Sequence, residues 1–325
     1  MKMLVTGGAG FIGSHLVDAL LVQGYEVIVV DNFSTGRVEN LDLPRGKVEL
    51  VEADIAKPGE WQQCFKDVSA VFHLAALADI VPSIRNPRAY YEANVNGTFN
   101  VVEASVTCNV NSFVYAASSS SYGLAEQLPT PESANIDPQY PYALTKFLGE
   151  EVVIHWAKVY GLPATSLRFF NVYGPRSRTS GTYGAVFGVF LAQKLANKPF
   201  TVVGDGEQTR DFTYVSDVVE AIIIAAGSGK RGKIYNVGSG KTISVNRLVE
   251  LLDGPKTYIP KRPGEPDCTF ADISLIKKEL GWEPKVSIEE GVSVLLDSID
   301  YWREAPVWTP ESIAKETEDW FDLLS

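Results

Sequence analysis

The sequence predicts a doubly wound α/β fold on a parallel sheet, with a smaller C-terminal α/β lobe and a helical tail. Three observations carry this. Short apolar runs alternate with helix-patterned segments over the first 170 residues. The first of those runs leads straight into Gly7-Gly8-Ala9-Gly10-Phe11-Ile12-Gly13. After Asn171 the alternation breaks into loops rich in Gly, Pro, Arg and Tyr.

Taken in order, Met3-Leu4-Val5-Thr6 is short and apolar, as a strand buried on both faces requires. Phe11 to Val22 has helical spacing, with apolar residues at Phe11, Ile12, Leu16, Ala19 and Leu20. Val27 to Val30 is the second strand and ends in Asp31. Val48 to Glu52, Ala70 to Leu74, Phe113 to Ala116 and Ala164 to Arg168 read as further strands; Ala89 to Thr107 and Tyr142 to Tyr160 read as helices. Tyr235-Asn236-Val237 returns to the sheet side, so the lobes interleave. The expected division is residues 1–170, 171–300 and a tail of 301–325. In the tail, Trp302, Trp308, Ile313, Trp320, Phe321 and Leu324 suit an amphipathic cover, with Glu311, Glu316, Glu318, Asp319 and Asp322 facing water. Docking on its own subunit and docking on a partner both stay open for it.

The strand–glycine–helix run is the fingerprint of a dinucleotide site. Gly7, Gly10 and Gly13 let the backbone turn tightly and approach a pyrophosphate, and the helix start at Phe11 and Ile12 offers it unpaired N–H groups. Asp31 is placed to accept from an adenosine ribose and to repel a 2′-phosphate, which favours NAD over NADP; Arg37 keeps NADP open.

The chemistry lies at the next strand end. Ser118, Ser119, Ser120 and Ser121 follow the strand at Phe113, where ligands of open α/β sheets bind. Tyr142 and Lys146 are four apart on a helix and share a face. A free phenol titrates near 10, too high for a base at neutral pH. A neighbouring ammonium favours the phenolate, so Tyr142 can take a hydroxyl proton while Lys146 assists and a serine holds the reacting oxygen. Packing alone would explain Tyr142, and a solvated helix face would explain Lys146; the pair with serines upstream is a site.

With these residues the chain resembles the extended short-chain dehydrogenase/reductases with a Rossmann-type domain, and among them the nucleotide-sugar 4-epimerases. The resemblance runs from Met3 to about Val292. His73-Leu74-Ala75-Ala76 is similar to the strand end along the cofactor, Asp54-Ile55 to the adenine contact and Asn94 to Thr98 to the segment under the nicotinamide; Asn32 and Phe169 complete the implied cofactor set. The resemblance makes Tyr142 the base, Lys146 its modulator and Ser118 the hydroxyl partner, with Ser119 and Ser120 near enough to share that task. It assigns Asn171, Arg210 and Arg262 to a diphosphate and ribose, and Glu265 to the ribose hydroxyls. It implies a UDP-linked hexose, a 4-keto intermediate, a tightly held NAD, and a homodimer paired through the helices at Ala89–Thr107 and Tyr142–Tyr160.

Related 4,6-dehydratases carry an Asp-Glu pair after their catalytic residue, and related decarboxylases carry a Glu nearby. Here Ser119 and Ser120 follow Ser118. In resembling epimerases the residue seven beyond the clamp arginine sets the room at the sugar's C2. It is Thr269 here, which implies tolerance of UDP-GlcNAc and UDP-GalNAc beside UDP-glucose and UDP-galactose. Ala78 and Asp79 keep another sugar open, such as a uronate, a heptose or a GDP- or dTDP-linked sugar. A net oxidoreductase and a non-catalytic NAD-binding scaffold are the other readings; the intact Tyr142–Lys146 pair speaks against the scaffold.

The formal net charge of −11 argues against nucleic-acid binding, although Arg176 and Arg178 add positive charge near the expected mouth. No apolar run reaches membrane-span length, and Met1 leads at once into a core strand, a pattern expected of a cytoplasmic protein. Cys64, Cys108 and Cys268 are scattered, and with His15, His73 and His155 they show no metal spacing.

Overall fold

A computed structural model describes residues 1–41, 47–177 and 185–324. Its first half contains β1 (Lys2–Thr6), α1 (Phe11–Val22), β2 (Glu26–Asp31), β3 (Val48–Glu52), β4 (Val68–His73), α2 (Ile80–Arg85), α3 (Pro87–Tyr91), α4 (Gly97–Thr107), β5 (Ser112–Ser118), α5 (Pro141–Val159) and β6 (Ala164–Phe169). Then come β7 (Asn171–Tyr173), α6 (Val186–Leu195), β8 (Phe200–Val203), β9 (Thr209–Arg210), β10 (Phe212–Tyr214), α7 (Val215–Gly227) and β11 (Lys233–Val237). The chain closes with β12 (Ile243–Ser244), α8 (Val245–Leu252), β13 (Lys256–Ile259), α9 (Ser274–Leu280), α10 (Ile288–Asp297), α11 (Pro310–Glu316) and α12 (Glu318–Leu324).

Seven strands form one parallel sheet in the order β11-β6-β5-β4-β1-β2-β3. Alternation along the strands separates two cores. Met3, Val5, Val27 and Val29 face one side, with Leu16 and Leu20 of α1 and Val218 and Ile222 of α7. Leu4, Ile28 and Val30 face the other, with Val101 and Val102 of α4 and Val153 of α5. A third cluster beyond the sheet joins Phe187, Phe190, Phe200, Leu248, Leu295 and Trp302. The return at Tyr235-Asn236-Val237 is the edge strand β11, which pairs with β6.

The sheet order reverses between β1 and β4, and the crevice at their carboxyl ends is where such folds bind ligands. The glycine turn follows β1, Leu74 to Ala76 follow β4, and Ser118 ends β5, so three strand ends converge on one place.

Two elements differ from the sequence reading. Ala89 to Thr107 is not one helix: a π-helical turn at Glu92–Asn96 separates α3 from α4. Tight packing there accounts for it. A Cβ on Gly149 of α5 would stand 2.8 Å from the Asn94 carbonyl, and the Thr98 hydroxyl donates to that same carbonyl at 2.6 Å. The tail forms two short helices, with Trp302, Ile313 and Trp320 buried. Glu316 and Asp319, expected to face water, stay partly exposed and also accept hydrogen bonds from Arg85.

Candidate active site

The glycine turn is shaped by close approach. Gly7 has φ +70°, and a Cβ there would lie 2.7 Å from the Ala75 amide nitrogen. A Cβ on Gly13 would lie 2.1 Å from the Gly7 carbonyl oxygen, so only glycine lets α1 pack so tightly on the turn. No side chain caps α1 at Gly10 and no acid stands in its first turn, which leaves a helix N-terminus suited to an anion. At the end of β2, Asp31 accepts from the Ala9 amide and the Phe33 amide, each at 2.9 Å. Burial pushes its carboxyl up and those amides oppose the shift. A carboxylate has about four acceptor sites, so acceptor capacity remains for a hydroxyl. Arg37 packs over the Tyr301 ring, with the guanidinium carbon 6.0 Å from its centroid.

At the chemical end, the Tyr142 hydroxyl donates to Ser118 Oγ at 3.3 Å, and the Ser118 and Ser120 hydroxyls are 2.8 Å apart. Pro141 starts α5 in a position that needs no N–H, which fixes Tyr142 in the first turn. Tyr142 opens to the cleft on one side and is enclosed on the others; that enclosure raises its phenol, while the two serine hydroxyls draw it down. Lys146 is buried with its Nζ 4.4 Å from the Tyr115 ring centroid. Burial lowers its ammonium to about 7, with Glu150 opposing.

The far end is a set of charges. Arg210 donates to Glu265 Oε1 at 2.9 Å, and Arg262 Nη1 lies 3.8 Å from Glu265 Oε2. That second oxygen is buried and has no hydrogen-bond partner among the described residues. The Thr269 hydroxyl donates to Asn171 Oδ1 at 2.8 Å.

One cleft of about 880 Å³ joins the three ends. Gly7, Gly10, Phe11, Ile12 and Gly13 line it, as do Asp31, Asn32, Asp54 and Ile55. So do Leu74, Ala75, Ala76 and Phe169, then Ser118, Ser119, Ser120, Tyr142 and Lys146. Asn171, Arg210, Arg262, Glu265 and Thr269 complete the wall, with Ala78, Asp79 and Arg176 also on it. Asn94 is the exception. It is 1% exposed, and its amide exchanges two hydrogen bonds with the Leu77 backbone and donates to Thr145. It braces the cleft from behind, because the π-helical turn carries its side chain into the core. Arg178 lies outside the described residues.

The sequence reading missed the supports. Glu150 and Arg168 form a buried pair at 2.5 Å behind Ser118, and Ser166 and Tyr122 bond to it. Asp211 accepts from the amides of Ser239, Gly240 and Ala271, which ties together the loops flanking Arg210 and Thr269. His73 has ring nitrogens 2.7 Å from the Thr6 hydroxyl and 2.9 Å from the Thr98 hydroxyl, and burial lowers it to about 3, so it stays neutral. Among the described residues no His, Cys, Asp and Glu cluster has a metal-binding arrangement, and no helix is long and apolar enough to cross a membrane.

Residues 3–238 match the model of the NAD dependent epimerase/dehydratase family. The chain belongs to this family. As a family member it is an NAD-dependent enzyme, and its residues fit that cofactor: the glycine turn has no room for a side chain, the start of α1 is uncapped, and Asp31 has acceptor capacity to spare. A UDP-glucose 4-epimerase of Mycolicibacterium smegmatis is 35% identical over 305 residues, 90% of this chain and 96% of that one. The UDP-glucose 4-epimerase of Thermotoga maritima, solved with UDP-glucose, is 38% identical, with a TM-score of 0.87 over 94% of this chain and 99% of that chain. The UDP-N-acetylglucosamine 4-epimerase of Methanobrevibacter ruminantium, solved with UDP-N-acetylmuramic acid, is 34% identical, with a TM-score of 0.85 over 91% and 98%. Relatives named UDP-glucuronate 4-epimerase and UDP-glucuronic acid decarboxylase match as well.

Proposed function

We propose that this family member is a nucleotide-sugar 4-epimerase that interconverts UDP-glucose with UDP-galactose and UDP-GlcNAc with UDP-GalNAc. The continuity of the cleft carries the reading: it runs from Asp31 past the Tyr142–Ser118 pair to Arg210, Arg262 and Glu265, so a cofactor and a nucleotide sugar can meet at Tyr142. Ser119 and Ser120 on that wall, in place of an acidic pair, favour epimerisation over dehydration.

In this reading NAD, held by the glycine turn, Asp31 and Lys146, supplies reversible hydride exchange. Tyr142 removes the proton of the sugar 4-hydroxyl, and Ser118 and Ser120 hold the same oxygen. Arg210 and Arg262 keep the diphosphate fixed through bidentate forks while the 4-keto sugar turns over. Tyr142 then returns its proton to the oxygen on the other face. Thr269, tied to Asn171, leaves space at C2. Incubation with UDP-glucose and with UDP-GlcNAc, without added cofactor, tests the reading; appearance of both 4-epimers supports it, and failure with both sugars even after NAD is added refutes it.

Lys146 gives a prediction with opposite signs for activity and stability. Its unfolded pKa is about 10.4, while burial holds the folded value near 7. Between those values the unfolded chain binds more protons, so this group's contribution to stability improves as pH rises from about 7 to about 10 and is least favourable below 7. Lys146→Met is therefore expected to melt above the parent at pH 6–7, with the gap closing toward pH 10 in thermal scans, and to lose at least about a hundredfold in kcat.

We also propose a homodimer. Tyr91, Phe99 and Tyr160 stay exposed on α3, α4 and just past the end of α5, with Phe99 and Tyr160 flanking the half-buried Trp156, each 5.2 Å from its ring. Light scattering is expected to give twice the 35.5 kDa chain mass, and Trp156→Glu to give the monomer.

A further inference from the structure

The tail contributes a side chain to the nucleotide end of the cleft. Trp320, on α12, is 3% exposed and lies on the cleft wall. Its indole N–H donates to the Pro263 carbonyl at 2.8 Å, beside Arg262. The Arg262 guanidinium carbon stands 5.4 Å from the Trp320 ring centroid. On the opposite flank Tyr140 packs against Trp320, with ring centroids 6.3 Å apart, and stacks in turn on Tyr142.

A latch holds this wall in place. Arg85, the last residue of α2, donates Nη1 to Glu316 Oε1 at 2.9 Å, Nη2 to the Glu316 carbonyl at 2.8 Å and Nε to Asp319 Oδ2 at 2.5 Å. The acids come from α11 and α12, and α2 begins directly after the cleft residues Ala78 and Asp79. The tail thus bridges the helix beside the sugar end and the loop that carries Arg262.

We propose that Trp320 is a positioning residue for substrate binding: its ring face fixes the plane of the Arg262 guanidinium toward the diphosphate, and the Arg85 latch keeps Trp320 there. The proposal rests on the reading of Arg262 as a diphosphate ligand. An arginine has many rotamers to lose on binding; a ring face that already orients it reduces that cost and so tightens binding. The tail is then part of the nucleotide site and not only a cover over the fold.

Calorimetry with UDP as the probe, on the full-length protein with its cofactor, tests this without requiring turnover. Trp320→Ala is expected to weaken UDP by about tenfold or more, and Trp320→Phe, which keeps a ring face, by less than about threefold. Arg85→Ser is expected to fall between them. In assays with UDP-glucose, the Trp320→Ala loss should sit in KM, with kcat reduced less than about threefold. A Trp320→Ala protein that binds UDP within about twofold of the parent overturns the proposal, and so does a Trp320→Phe protein as weak as Trp320→Ala. A parent protein that does not bind UDP overturns instead the reading of Arg262 on which the proposal stands.

Discussion

Tyr142→Phe lowers kcat by about 10²–10⁴-fold while the protein stays folded and keeps its cofactor. The substitution removes one oxygen. The ring still stacks on Tyr140 at 6.3 Å and meets Tyr90 edge-on at 6.5 Å, so packing is preserved. What goes is the hydroxyl that donates to Ser118 at 3.3 Å and that, in the proposed mechanism, exchanges a proton with the sugar oxygen. Enclosure raises the Tyr142 phenol, so the active phenolate becomes scarcer as pH falls; kcat/KM of the parent should climb with pH. Steady-state rates of the two proteins across pH check both points. A loss below about tenfold would remove Tyr142 from the role of base.

Glu150→Ala is the largest expected stability effect, about 3–5 kcal/mol in denaturant unfolding. Glu150 and Arg168 have side chains 1% and 4% exposed, and the pair is 2.5 Å apart. Removing the carboxylate leaves a buried guanidinium with, among the described residues, Tyr122 and the Glu132 carbonyl as its hydrogen-bond partners, and takes the acceptor from Ser166. Replacing both partners, as Glu150→Leu with Arg168→Met, removes the unpaired charge and should recover much of the loss. Arg168 sits opposite Ala117 in the β5–β6 register, one residue before the Ser118–Phe169 pair. Activity should therefore fall with Glu150→Ala even where the protein remains folded. A loss of unfolding free energy under about 1 kcal/mol would contradict this account of the pair.

The parts of the structure legible in the sequence are those written in local pattern. Short apolar-rich runs marked all seven sheet strands, including the late return at Tyr235 to Val237, because most of the sheet is covered on both faces; the edge strand β3, with Glu49 and Glu52 exposed, is apolar only in part. Of the residues that reach the cleft, the glycine turn, Asp31, Ser118 and Tyr142 were legible because strand ends and a helix start dictate where they go, whereas Asn171, Arg210, Arg262, Glu265 and Thr269 followed only from the family resemblance. Asn94 stands off the cleft wall for the complementary reason. Helical periodicity reads Ala89 to Thr107 as continuous, whereas a contact with α5, distant in sequence, opens the π-helical turn that points Asn94 inward. The Glu150–Arg168 pair, the Asp211 hub and the Arg85 latch share that cause. Each joins residues from 18 to 234 positions apart, and no local spacing marks such a partner.

The most direct test of the central claim uses UDP-glucose carrying deuterium at C4, incubated with the protein in ordinary water and followed by proton NMR and mass spectrometry. The account predicts the 4-epimer with the deuterium still at C4, because the hydrogen taken from that carbon is returned to it. Formation of no 4-epimer, or a 4-epimer that has exchanged its label for solvent hydrogen, would contradict it.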